Sequence, residues 1–470
     1  MIPIDKLTDD VLLEIFHFHV DQPWNELGDG EEGEQEAMEA WQSLVHVCRR
    51  WRSVVFGSPR RLDLRLVCTA NTPARDTVDV WPALPLVIQD IDDRRGSVAN
   101  IVALLERSDL VRQIDLWDVS SSQLEDLSKA MQVPFPELTH LLLFHSDETE
   151  PVLSLSDSFL GGSAPQLRSF WLVGISYPSL PKLLLSATHL TVLCLRRIPH
   201  SGYISPEAMV ACLSTLTSLE GLSLTFKSPP PRTDRESRHL PPLTRNVLPV
   251  LKRFTFKGVV EYLEYLVARI DAPRLRLLYI IFFNDIVFDT PQLTRFISHT
   301  PVLEALDKAR VTLTDHIASI TLSSAYEDYD ESLEMSISCT ELDWQLSFLE
   351  QVCTSSLPPL STLEDLYMRG RPWPQDWKDI IDYEQWLELL HSFATVQNLY
   401  LSKELAPCVV PALQELVAGR TTEVFPDLQN IFVEELEESG PVWEGIEKFV
   451  SARQVSSRPI AISRWEKGSN

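Results

Sequence analysis

A short apolar pattern, Leu-x-x-Leu-x-Leu with close variants, recurs along most of this 470-residue chain. Copies begin at Leu110, Leu138, Leu167, Leu190, Leu219, Leu251, Leu275, Leu303, Leu363, Val396 and Leu428. Most successive copies start about 23 to 33 residues apart, a period typical of repeats that pair one strand with one helix. The pattern therefore predicts an α/β solenoid, in which mostly parallel strands form a row and helices cover one side of it.

Segments with helical spacing lie between the copies, at 124–131, 180–187, 206–213, 262–270, 386–393, 410–417 and 442–450. The period breaks between Leu303 and Leu363, where two alternating runs flank an acidic segment. We predict an inserted hairpin near 317–338, followed by a helix over 344–352. A final run, 458–465, predicts a last strand.

The first sixty residues show helical spacing on both sides of an acidic insertion at 29–39. Thr8 can cap a first helix. Its apolar stripe comprises Val11, Leu12, Ile15 and Phe16, and a second helix would carry Trp41, Leu44, Cys48, Trp51 and Val55. So short a segment hides too little surface to be stable alone, and the surplus apolar surface predicts a partner.

At these residues the chain resembles the F-box family, which has leucine and Ile-Phe positions on a first helix and Leu, Val-Cys and Trp positions later. The matching residues are Leu7, Leu12, Ile15, Phe16, Leu44, Val47, Cys48 and Trp51, followed by Pro59. Thr8 stands where the family usually has proline. The repeats resemble the irregular leucine-rich repeats found behind F-boxes, although Ser146, Ile175, Ile198 and Lys227 replace the usual asparagine or cysteine.

The resemblance implies an all-α F-box over residues 1–59 and a leucine-rich-repeat solenoid over 60–470. It implies a substrate-recognition adaptor of a Skp, cullin and F-box ubiquitin ligase. The eight matching residues would dock on, or directly support docking on, the Skp adaptor, and the repeats would bind a protein substrate. The alternative is a ubiquitin-independent repeat scaffold whose first helices only cap the solenoid. An enzyme hidden in the interval from Leu303 to Leu363 is a third hypothesis.

In a Leu-x-Leu strand, the intervening side chains face away from the core. Aromatic and arginine side chains at such positions often anchor interfaces. We therefore predict substrate binding by Phe144, Trp171, Arg196, Arg253, Tyr279, Tyr367, Arg369, Tyr400 and Phe432, with Lys257 beside them. The alternative for each residue is that it packs only on its neighbours along the row.

The sequence contains no recognisable catalytic or metal-binding motif, so we expect neither an enzyme nor a cofactor. His17 and His19 are two residues apart and would point to different faces of a helix. The seven cysteines are scattered without a Cys-x-x-Cys pair, which argues against a zinc ribbon and a disulfide framework.

The formal net charge is -26, from 41 Lys and Arg against 67 Asp and Glu. Such a field repels a phosphate backbone, so we expect no nucleic-acid partner. The apolar runs are too short to span a bilayer, and the first residues do not resemble a secretory signal, so we expect no membrane partner and a cytoplasmic or nuclear protein.

Overall fold

The computed structural model describes residues 6–20, 40–59, 61–62, 64–71, 84–90, 98–145, 154–229, 245–283, 290–324, 331–357, 360–370, 383–419, 424–435, 440–455 and 458–465. Its contacts divide the chain into two compact units, Met1–Val192 and Leu193–Asn470. The predicted boundary at residue 60 lies inside the first unit. The predicted acidic insertion at 29–39 lies outside the described residues.

Among the described residues, the first unit begins with the helices α1 (Asp9–Val20), α2 (Ala40–Val47) and α3 (Arg49–Gly57). The prediction of one helix through Cys48 was wrong. Cys48 has an extended backbone, with φ -159° and ψ 170°, and its Sγ accepts a hydrogen bond from the Trp51 N–H. A residue in this conformation ends one helix and serves as the N-cap of the next.

Five parallel strands follow in the first unit, each paired with the next in chain order. They are β1 (Leu66–Cys68), β2 (Leu86–Asp90), β3 (Val111–Leu116), β4 (His140–Phe144) and β5 (Ser169–Val173). Helices α4 (Val98–Leu105) and α5 (Ser121–Ala130) lie between them in the chain, and α6 (Leu180–Leu184) follows β5. Ser120 and Gln123 form a reciprocal capping box that fixes the start of α5.

The second unit holds a longer row whose strands are not all in chain order. The row runs β6 (Val192–Ile198), β7 (Gly221–Phe226), β9 (Arg253–Gly258), β11 (Leu277–Phe282), β14 (Ser332–Ser338), β13 (Ile317–Ser323), β12 (Lys308–Leu313), β15 (Asp365–Gly370), β16 (Asn398–Leu401), β17 (Asn430–Glu434) and β18 (Ala461–Trp465). A separate parallel pair joins β8 (Asn246–Val247) and β10 (Ile270–Asp271).

The helices of the second unit connect these strands. They are α7 (Pro206–Leu213), α8 (Val260–Val267), α9 (Pro291–Ser298), α10 (Pro301–Glu304), α11 (Leu342–Gln351), α12 (Tyr383–His391), α13 (Ala406–Gly419) and α14 (Pro441–Val455). The core positions of the repeat pattern are buried: Phe254 and Phe256 of β9 are fully inside, while Arg253, Thr255 and Lys257 alternate with them. The chain is thus a mixed α/β protein built on a mostly parallel strand row.

Among the described residues of the interval where the repeat period breaks, the structure has three strands rather than the predicted two. The predicted runs correspond to β13 and β14, which pair antiparallel, and the unpredicted β12 pairs antiparallel with β13. At the borders, β14 is parallel to β11 and β12 is parallel to β15. Strand β12 lacks the leucine pattern because its core positions are Ala309, Val311 and Leu313.

Candidate binding surfaces

Helix α1 presents apolar side chains on two different faces. Leu12, Leu13 and Phe16 are buried. Val11, Ile15 and Phe18 are exposed, and at 100° per residue they fall within about 60° around the helix axis. The predicted single stripe of α1 is therefore two stripes, one facing the interior and one facing outward.

Specific contacts hold the three helices together. The Phe16 and Trp51 rings lie 4.7 Å apart, and the Trp41 indole N–H donates to the Arg65 carbonyl oxygen at 3.0 Å. At the surface, the Arg50 guanidinium lies 2.8 Å from an Asp9 carboxylate oxygen. Because this ion pair is exposed, it contributes little to stability. The aromatic rings of Phe16 and Trp41, which are buried, contribute more.

Val47, the last residue of α2, is another exposed apolar side chain. Ser43 of the same helix contacts α1, since its hydroxyl is 3.5 Å from the His19 imidazole. The exposed fractions of Val11, Ile15, Phe18 and Val47 are 44%, 46%, 74% and 59%. We call these four residues the N-terminal stripe.

The structure separates the eight predicted adaptor residues by burial. Leu12, Phe16 and Leu44 are inside and hold the helices together. Ile15, Val47 and Cys48 are exposed, whereas Leu7 and Trp51 are half-buried. Val11 and Phe18 are surface residues that the site prediction omitted. Their i, i+4, i+7 spacing with Ile15 was the sequence signal for them.

In the second unit, the strand positions that alternate with the core form what we call the open face. One register line crosses it through Thr255, Tyr279, Glu334, Thr321, Arg310, Tyr367, Tyr400 and Phe432. Neighbouring residues on such a line are about 5 Å apart, so their side chains interact directly.

Three predicted aromatic residues stack at one end of this line. The Tyr367 and Tyr400 rings are 4.2 Å apart with 13° between their planes, and the Tyr400 and Phe432 rings are 4.5 Å apart at 8°. Trp465 meets Tyr400 at 5.7 Å, and the Arg369 guanidinium is 5.3 Å from the Trp465 ring. Tyr367 is buried, and burial raises the pKa of its phenol. These side chains therefore cover much of one another's surface.

A cavity of about 460 Å³ lies toward the other end of the line. Its lining includes Arg196, Thr255, Lys257, Tyr279, Ser332 and Glu334. Two of the predicted residues, Arg196 and Tyr279, thus meet at one cavity. Arg253 is exposed and is a register neighbour of Leu277, which also lines it.

Glu334 is the carboxylic acid of this cavity. Burial raises its pKa from 4.5 to about 7, although the charge of Arg310 and a hydrogen bond from Thr321 favour the carboxylate. Burial also raises the pKa of Tyr279, and the Glu334 charge acts in the same direction. The site prediction missed Glu334 and Arg310, because the sequence did not show that β14 lies beside β11.

The two predicted residues of the first unit lie on its adjacent strands β4 and β5. Phe144 and Trp171 are both half-buried, and the Phe144 ring is 5.5 Å from the exposed Trp117 ring. Trp171 donates its indole N–H to the Ser169 hydroxyl at 2.9 Å. Trp117 directly follows the last residue of β3 and occupies no position of the repeat pattern, so the sequence did not indicate it.

Within the described part of the chain, no group of three or more His, Cys, Asp or Glu side chains is arranged to hold a metal ion. Among the same residues, no helix has the length and apolar character needed to cross a bilayer.

The sequence matches no protein-family model and no curated protein.

Proposed function

We propose that this chain is the substrate receptor of a Skp, cullin and F-box ubiquitin ligase. In this proposal, α1 to α3 form an F-box that docks on the Skp adaptor, and the strand row is a leucine-rich-repeat domain that holds a protein substrate. The chain performs no covalent chemistry itself. It raises the effective concentration of the substrate near the subunits that transfer ubiquitin.

The observation that carries the proposal is the N-terminal stripe. Its four large apolar side chains are exposed while the opposite face of α1 is buried against α2 and α3. Exposed apolar clusters of this kind mark sites of protein association. The stripe lies on α1 and α2, two of the three helices that carry the F-box-like sequence pattern, which favours an adaptor as its partner.

The open face supports the second half of the proposal. It offers aromatic rings, arginines and a cavity on a rigid strand row, and such groups provide anchor points for a protein partner. Because the stripe and the open face belong to different units, changes at one surface can be made without altering the residues of the other.

Capture of the Skp adaptor by the full-length chain tests this function. We expect the wild-type chain to co-purify with the adaptor, and Ile15→Ser to weaken binding by about tenfold or more, since an apolar anchor is lost. Leu185→Ser is the matched control, because Leu185 is exposed to a similar degree, 51%, at the C-cap of α6, outside α1 to α3. Equal loss in the two variants would contradict docking through the stripe.

The alternative is a ubiquitin-independent scaffold whose first helices cap the repeats. If the folded wild-type chain does not bind the adaptor at micromolar concentration, the scaffold hypothesis replaces the proposed function. Buried contacts such as Phe16 with Trp51 are expected under both hypotheses, so only the exposed residues distinguish them.

A further inference from the structure

We propose that the open face of the second unit binds an acidic segment of the partner protein, and that the cavity lined by Arg196, Lys257, Tyr279 and Glu334 receives an aspartate or glutamate side chain. The inference names the class of substrate for the proposed receptor. It rests on the proposed function only in treating that partner as a ubiquitination substrate.

The first support is the charge of the open face. The cations on it in β6 to β18 are Arg196, Arg253, Lys257, Lys308, Arg310 and Arg369, whereas its carboxylates in the same strands are Glu334, Asp365 and Glu434. This local excess of positive charge occurs in a chain of net charge -26. Opposite charges steer association, so the face favours an acidic partner over a basic one.

The second support is the chemistry of the cavity. Arg196 is exposed and Lys257 half-buried, and both line it together with the hydroxyl-bearing residues Thr255, Tyr279 and Ser332. Guanidinium, ammonium and hydroxyl groups are hydrogen-bond donors to a carboxylate. The volume of about 460 Å³ exceeds that of one acidic side chain, which leaves room for part of the peptide that carries it.

The third support is the position of Glu334 in the wall of this cavity. On neighbouring strands it faces Tyr279 of β11, Thr321 of β13 and, one strand farther, Arg310 of β12. A second carboxylate entering the cavity would repel an ionised Glu334 and would favour its protonated form. Since burial already raises the pKa of Glu334 to about 7, binding of the acidic segment takes up a proton near neutral pH.

A nucleic acid is the other polyanion to consider. The chain as a whole is strongly acidic and repels an extended phosphate backbone, whereas a short acidic peptide needs only the local field of the open face. The geometry therefore favours the peptide, and a single-stranded oligonucleotide serves as the competing probe.

Fluorescence anisotropy with the full-length chain and no adaptor tests the inference. The probes are a fluorescein-labelled peptide of alternating Glu and Gly, the same peptide with Gln for Glu, and a labelled oligothymidylate of equal length. We expect the Glu peptide to bind with a Kd below roughly 1 mM near pH 6, and at least about tenfold more weakly near pH 8.5, where the protonated fraction of Glu334 is small.

The variants distinguish the cavity from a general charge effect. Lys257→Gln should weaken binding of the Glu peptide about tenfold, whereas Lys129→Gln, an equal charge change at an exposed residue of α5, should leave it unchanged. Glu334→Gln should bind the Glu peptide almost equally near pH 6 and pH 8.5.

No binding of the Glu peptide, equal binding of the Gln peptide, tighter binding of the oligothymidylate, or retained pH dependence in Glu334→Gln would each overturn the inference. Adaptor capture is measured separately through the N-terminal stripe. Its failure with intact peptide binding would refute the proposed function alone.

Discussion

Replacing Glu334 with glutamine should make the stability of the chain less dependent on pH. Burial raises the pKa of this carboxylic acid from 4.5 to about 7, so the folded protein holds a proton that the unfolded chain has released. A group of this kind contributes stability that is fully present below pH 4.5 and is lost as the pH rises through 7. Glutamine has a similar shape and does not ionise.

The magnitude follows from the two pKa values. At about 1.4 kcal/mol for each pH unit, a rise from 4.5 to about 7 corresponds to at most about 3 kcal/mol over the whole window. Between about pH 6 and pH 8.5, Glu334 accounts for about 1.4 kcal/mol, because the native state is mostly protonated at the lower pH and ionised at the higher one. For a unit of this size, that is a change in Tm of roughly 2 to 4 °C.

Thermal unfolding of the wild type, Glu334→Gln and the control Glu341→Gln measures this effect. Glu341 is exposed just before α11, so its replacement makes the same chemical change without altering a buried group. The Tm difference between Glu334→Gln and wild type should move in favour of the variant as the pH rises from about 6 to about 8.5. A difference that is constant with pH, or that moves as much for Glu341→Gln, would refute the reasoning.

Three further substitutions should lower stability, each measured as a shift in Tm. Arg453→Ala should lower the free energy of unfolding by about 3 kcal/mol, because this buried guanidinium donates hydrogen bonds to the carbonyl oxygens of Val424 and Phe425 at 2.6 and 2.7 Å. Lys448 is exposed on the same helix, and Lys448→Ala should be nearly neutral. Gly174→Ala should cost about 2 kcal/mol or more, since φ is +73° and a Cβ would lie 2.6 Å from the His145 carbonyl oxygen. Gly57→Ala, with open space around it, should not destabilise the chain. Ser120→Ala should cost about 1 kcal/mol through the lost α5 cap, and Ser120→Asp should restore most of it.

The repeat pattern predicted the strand row well because most copies mark a local alternation of buried and open positions, although the copy at Leu303 lies in helix α10. Leu141 and Leu143 of β4, or Leu222 and Leu224 of β7, are buried as the spacing requires. The break between α2 and α3 was missed because Cys48 continues the helical spacing, while its backbone turns to the extended conformation. Spacing alone does not show whether one helix or two carries a stripe.

The N-terminal stripe shows a similar limit. The sequence marked α1 as apolar over more than half of its circumference, which implied a partner but not which side that partner would cover. Only packing against α2 and α3 assigns Leu12 and Phe16 to the interior and leaves Ile15 outside. The surface residues of such a helix follow from the fold, because neighbouring helices determine which face is covered.

The cavity could not be predicted because it depends on strands that are distant in sequence. Glu334 is 55 residues from Tyr279 in the chain, yet the two are direct register neighbours. The predicted hairpin did not determine which strand pairs with β11, since either of its two strands could have been the neighbour.

The direction of the strands, however, does constrain the insertion. A parallel row can continue on both sides of an insertion with parallel borders only if the number of alternating strands inserted is odd, because each antiparallel step reverses direction. Two strands would leave one border antiparallel, whereas β14, β13 and β12 leave both parallel. Direct register pairing across the three strands then brings Glu334 and Arg310 onto the same face as Tyr279 and Tyr367. The third strand, β12, was not predicted, but the parallel repeats on either side require it. It supplies Arg310, a cation on the surface that the binding proposal uses.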